Sequence, residues 1–226
     1  MPGPEGGGKA MIAGVVVGCT KPMVRATMIE VCTSGNHGPR MADLEADGVF
    51  REAWGRHRAV SHRLPEEPTI GGQLNVRLAS LTLEFVRALR LRGYEQGEAV
   101  RLTREIAWRL YRRWASIPKA WGRMVGGNAT DRMNRMVRAF LRFPFSEPAY
   151  QWEVWKEAGV VHLDVHRCPV AEFFIGEEAG DICAETWCTL DYPLAEYWGG
   201  RYERDGTMAE GDEACRMCWI SEDAAL

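Results

Sequence analysis

Apolar residues recur at helical spacing through the middle of the chain. Leu74, Leu78, Leu81, Phe85, Ala88 and Leu89 fall on one face of a helix, with Gly93 as its stop signal. Before it, Leu44 to His62 predicts a modest helix closed off by Pro65 and Pro68. Gly97 and Glu98 open a third helix through Ala99, Leu102, Ile106, Leu110 and Trp114, which Pro118 is expected to end. A fourth starts at Asp131 and runs through Met133, Met136, Val137, Phe140 and Leu141 to Pro144. The Met and Trp positions read as core-facing. After Pro148 the period shortens. Tyr150 to Val165 partly alternates, which predicts two strands joined at Glu157-Ala158-Gly159. A short helix from Pro169 to Phe174 and a longer one from Ile182 to Tyr197 follow. Arg201–Arg204 and Ala214–Ile220 read as strands around a turn at Asp205-Gly206. The expected class is α+β: a helical N-terminal half packed on a smaller mixed C-terminal half with an antiparallel sheet.

The first forty residues stand apart. Pro2, Gly3, Pro4 and Gly6–Gly8 make a flexible opening, and Met11 to Val17 is a short apolar stretch behind a single Lys9. Residues 1–40 are therefore expected to be a disordered extension or an overextended start. Residues 41–226 are expected to be one domain, helical over 41–145 and cysteine-bearing over 146–226. No continuous run of 18 apolar residues occurs, so no membrane contact is expected and a cytoplasmic location is. Net charge is −3, which disfavours a nucleic-acid partner. That total hides a split: residues 74–143 carry 15 Lys+Arg against 5 Asp+Glu, and residues 144–226 carry 5 against 18. Docking of a basic half on an acidic half accounts for this, and so does steering of a small anion by some of the arginines. Nothing in the pattern specifies an oligomeric state.

Seven cysteines are too few for a disulfide scaffold and odd in number. Five lie in the acidic half: Cys168, Cys183, Cys188, Cys215 and Cys218. Cys168 falls between Arg167 and Pro169 at a strand-to-helix junction, where the helix dipole and the arginine would favour thiolate. Cys188 and Asp191 are three apart and share a face of a predicted helix, so the carboxylate can exchange protons beside the sulfur. Cys183 is turned roughly 140° away from Cys188 on the same helix. Three readings stay open: buried structural thiols, cysteine catalysis with Asp191 as acid/base, and a zinc or iron–sulfur site on Cys168, Cys188, Cys215 and Cys218. His162 and His166 share one strand face and could extend a metal site.

The ordered succession Arg167-Cys168-Pro169 with Glu172, then Cys183, Trp187-Cys188 with Asp191, and Arg204-x-x-Thr207 leading through Gly211 to Cys215, resembles the L-2-amino-thiazoline-4-carboxylic acid hydrolase family. Gly71-Gly72-Gln73, Phe143-Pro144-Phe145 and Pro148-Ala149-Tyr150 add to the likeness, which spans roughly residues 68–220. One departure stands out. The family's usual Asp-aromatic-Arg after its last cysteine is here Arg216-Met217-Cys218. The resemblance implies a hydrolase that adds water to an amidine-like ring carbon and opens a small anionic cyclic substrate to an N-carbamoyl amino acid. Cys168, Cys188, Asp191 and Cys215 would be catalytic; Arg167, Arg204 and Thr207 would hold the substrate.

Overall fold

A computed structural model describes residues 4–36 and 40–223, with side chains from Gly8 onward. Five long helices come first: α1 (Pro4–Ser34), α2 (Asp43–Val60), α3 (Ile70–Arg90), α4 (Gln96–Val125) and α5 (Ala129–Arg142). A hairpin follows, β1 (Gln151–Glu157) and β2 (Val160–Arg167). Then come three short helices, α6 (Pro169–Gly176), α7 (Gly180–Thr186) and α8 (Asp191–Trp198), and two strands, β3 (Gly200–Asp205) and β4 (Cys215–Ser221). The four strands form one antiparallel sheet in the order β1-β2-β4-β3. The fold is α+β, as the change of period from 3.6 to 2 implies.

α3 is the centre of the helical layer and is buried almost all round. Thr69 caps it, accepting a hydrogen bond from the Gly72 N–H at 3.0 Å. Gly71 and Gly72 let the loop after α5 press against its first turn. A Cβ at Gly71 would lie 2.2 Å from the Pro144 carbonyl oxygen, and one at Gly72 2.6 Å from the Ala149 Cβ. Glu84, buried in α3, is neutralised by Arg56 at 2.6 Å and Arg87 at 2.8 Å.

The described residues form two apolar cores. One joins α1–α4 to α6 and α7; the other packs α5 and α8 on the inward face of the sheet. Cys168 and Met208 touch both. The β1–β2 turn places Ala158 and Gly159 at φ of 47° and 83°, the two positive values a tight hairpin needs.

Three expectations change. Where a disordered extension is expected, residues 4–34 form a helix: Val17, Val24, Met28 and Val31 are buried against the domain, and burial there outweighs the cost of ordering glycines. Although glycines interrupt its apolar run, Gly8–Ser34 is long and apolar enough, by length and composition alone, to cross a membrane. Second, α4 passes through Pro118 to Val125. The proline forfeits one backbone hydrogen bond without ending the helix, because the residue is buried against neighbours. Third, the helix expected over 182–197 is two helices. Pro193 has no N–H to continue a ladder from Thr189 and suits the first turn of a helix, and α8 begins anew at Asp191.

Candidate active site

That break between α7 and α8 sets up the site. Trp187–Leu190 forms a turn, and Cys188 sits on it rather than on a helix face. Antiparallel pairing supplies the rest. Val165 of β2 is opposite Cys215 of β4, and Arg204 of β3 is opposite Met217, so the end of β2, the end of β3 and the start of β4 lie at one rim of the sheet. Cys168 follows β2, Thr207 follows β3, and Cys215 opens β4. The 187–190 turn crosses the same rim.

The result is a cavity of about 120 Å³ between the two cores. Cys168, Cys183, Cys188, Cys215, Asp191 and Arg204 all line it, with Tyr111, Trp187 and Trp219 among the apolar walls. The thiols are linked. Cys215 donates to the Thr207 hydroxyl at 3.8 Å, and that hydroxyl donates to the Cys188 sulfur at 3.4 Å. The Met208 N–H donates to the Cys215 sulfur at 3.3 Å. Thr207 is itself fixed by its own N–H, which donates to Asp212 at 2.7 Å. Arg204 donates to the Cys188 carbonyl at 2.7 Å and is the one cation among the described residues lining the cavity.

These contacts separate the thiols by acidity. Cys188 is brought down to about 7: a hydrogen bond from the Cys183 thiol, the Thr207 hydroxyl and the Arg204 charge outweigh the cost of burial. Cys183 moves the other way, because it donates to Cys188 and is buried. Burial pushes Cys168 up to about 12 despite the Ala171 and Val170 N–H groups near it, and burial also raises Cys215. Asp191 is raised to about 7, first by burial and then by the neighbouring Cys188 charge, with Arg204 and Tyr202 opposing. The cavity therefore pairs one acidified thiol with one carboxyl that holds its proton near neutrality.

Not every expected residue arrives. Cys168 is not acidified, because desolvation exceeds the helix-end contribution and Arg167 is occupied elsewhere. Arg167 is absent from the cavity lining: it binds Glu67 at 3.0 and 3.2 Å, Glu172 at 2.9 Å and the Ala149 carbonyl. Cys218 lies three residues from Cys215 on β4 and so on the opposite sheet face. Its thiol is 3.4 Å from His162 Nδ1, and Trp155 stacks on that ring at 4.9 Å. The set Cys168, Cys188, Cys215 and Cys218 thus does not fit a zinc or iron–sulfur centre, and among the described residues no group of three or more His, Cys, Asp or Glu is arranged to hold a metal. Residues missed as participants are Cys183, Tyr202, Trp219 and Tyr111. Tyr202 and Trp219 are register partners on β3 and β4, a pairing that strand alternation could have suggested.

Fold and cavity together define a small α+β protein with a buried thiol–carboxyl centre. The family model for L-2-amino-thiazoline-4-carboxylic acid hydrolase matches residues 98–219, and the chain belongs to that family. No curated protein matches it. The matched region runs from α4 to β4 and contains every thiol of the cavity.

Proposed function

We propose that this protein opens a small anionic ring at an amidine-like carbon, with Cys188 as nucleophile and Asp191 as proton carrier. The observation that carries the reading is that the one thiol lowered toward neutrality and a carboxyl raised to meet it line the same cavity. For a 2-amino-thiazoline carboxylate, the Cys188 thiolate adds to the ring carbon between sulfur and nitrogen. The bond from that carbon to the ring sulfur breaks, and the departing sulfur takes the Asp191 proton. Water then attacks the same carbon and gives a proton back to Asp191. The carbon–Cys188 bond breaks last, which restores the thiolate and leaves an N-carbamoyl product with a free thiol. Arg204 faces the substrate carboxylate, and the Thr207 hydroxyl, fed by Cys215, holds the resting thiolate.

The test is turnover of 2-amino-thiazoline-4-carboxylate, followed by release of free thiol. Cys188→Ser and Asp191→Asn should each lose about 10²-fold or more in kcat while still unfolding in one cooperative thermal transition. Near-normal rates in both folded variants remove the two residues from the mechanism.

A further inference from the structure

A second, larger cavity of about 420 Å³ lies beside the thiol centre, in the size range of pockets for drug-sized ligands. Its walls come from α1, α3, α4 and α5 and are overwhelmingly apolar. Tyr111, Phe140, Trp187 and Leu190 line both cavities, so the two are separated by no more than shared side chains. Trp187 is held at that junction by its indole N–H, which donates to Thr82 at 3.2 Å. At the far end the cavity reaches solvent through large apolar side chains: Ile117 is 69% exposed, and Trp114, Trp121 and Phe143 are each at least 40% exposed. Well-packed interiors leave few voids larger than a water molecule. A void of this size, adjoining a reactive centre across a shared wall and rimmed by exposed tryptophans, is laid out for a ligand.

We propose that the substrate carries an apolar tail, whose reactive head occupies the thiol cavity while the tail fills the larger one. The proposal rests on the reactive role assigned to Cys188 and names the substrate class: an anionic, amidine-like or thiazoline head bearing an alkyl or aryl chain. A bare thiazoline carboxylate fills only the smaller chamber. The tail enters past Trp114, Ile117 and Trp121, and the four shared side chains form the neck between chambers.

The probe is a series of N-alkyl iodoacetamides with ethyl, hexyl and decyl chains, applied to the full chain. The Cys188 sulfur attacks the reagent's methylene carbon, a carbon–sulfur bond forms, and iodide leaves; labelling is read at Cys188 by peptide mass spectrometry. Burial of each methylene is worth about fourfold, so the four added from ethyl to hexyl should raise the second-order labelling rate by up to about 250-fold if all are buried, and by at least about tenfold if only two are. In Ala107→Trp, which puts an indole into the larger cavity, the hexyl-to-ethyl ratio should fall toward one. Leu78→Phe is the smaller change should the first variant fail to fold. A flat series in the wild type, or a rise that survives cavity filling, overturns the proposal. Labelling needs no turnover, so the outcomes separate. Chain-length dependence with a catalytically silent Cys188→Ser change would sink the hydrolase reading and keep the tail site, and the reverse pattern would do the opposite.

Discussion

Replacing Thr207 with valine removes one hydroxyl from a position that is 1% exposed while keeping the shape of the side chain. That hydroxyl donates to the Cys188 sulfur at 3.4 Å and accepts from Cys215. A hydrogen bond to a charged group is worth about 1.5–3 kcal/mol, and one pKa unit is about 1.4 kcal/mol. The Cys188 midpoint, about 7 in the native cavity, should therefore move up by about one to two units. At pH 7 the thiolate fraction falls from about one half to between about one tenth and one hundredth. The assay is iodoacetamide alkylation at Cys188 across pH 5–10, read by peptide mass spectrometry, with thermal unfolding as the control for folding. Asp191 titrates in the same range, so the curve describes the pair. Asp191→Asn, which deletes the neighbouring negative charge, should move the midpoint in the opposite direction. An unchanged midpoint in a folded Thr207→Val protein would refute the claim that this relay makes the thiol reactive.

Further outcomes follow from the same contacts. His57 is buried, 3.0 Å from the Ser80 hydroxyl, and lowered to about 4 by burial and by Arg77. The unfolded chain takes up a proton below about pH 6.5 that the native state refuses, so stability should fall by about 3 kcal/mol between pH 6.5 and 4; His57→Gln should flatten that fall in thermal melts. Asp191 has the opposite sign: its native pKa is raised, so stability is lost as pH rises from about 4 through 7. The melting temperature of Asp191→Asn should gain on the wild type across that window and level off above it. Arg167→Met strands Glu67, buried at 6% exposure, and should cost about 3–5 kcal/mol of stability, yet leave the pH midpoint of Cys188 labelling in place. A shifted midpoint would instead put Arg167 in the site. Gly71→Ala would drive a Cβ into the Pro144 carbonyl and should lower the melting temperature by several degrees, equivalent to about 1–3 kcal/mol.

Much of this molecule is local and therefore visible in one dimension. The faces of α2, α3 and α5, the Ala158-Gly159 hairpin and the strands on either side of Asp205-Gly206 follow from apolar period and turn chemistry, because each is decided by neighbours within a few residues. The family resemblance likewise needs only the order of short motifs. Where long-range packing outvotes local preference, sequence reading stops. The glycine-rich opening becomes α1 because α3 and α4 give it something to bury, and Pro118 stays inside α4 for the same reason. The reactive centre is the clearest case. Helical spacing puts Cys183 and Cys188 on different faces, and an arginine beside Cys168 looks like an activator. The break before Asp191 brings Cys183 to Cys188, and Glu67, a hundred residues away, takes the arginine. Thiol acidity depends on desolvation and on donors set by the meeting of three strand ends and one turn, so the tertiary structure alone selects Cys188.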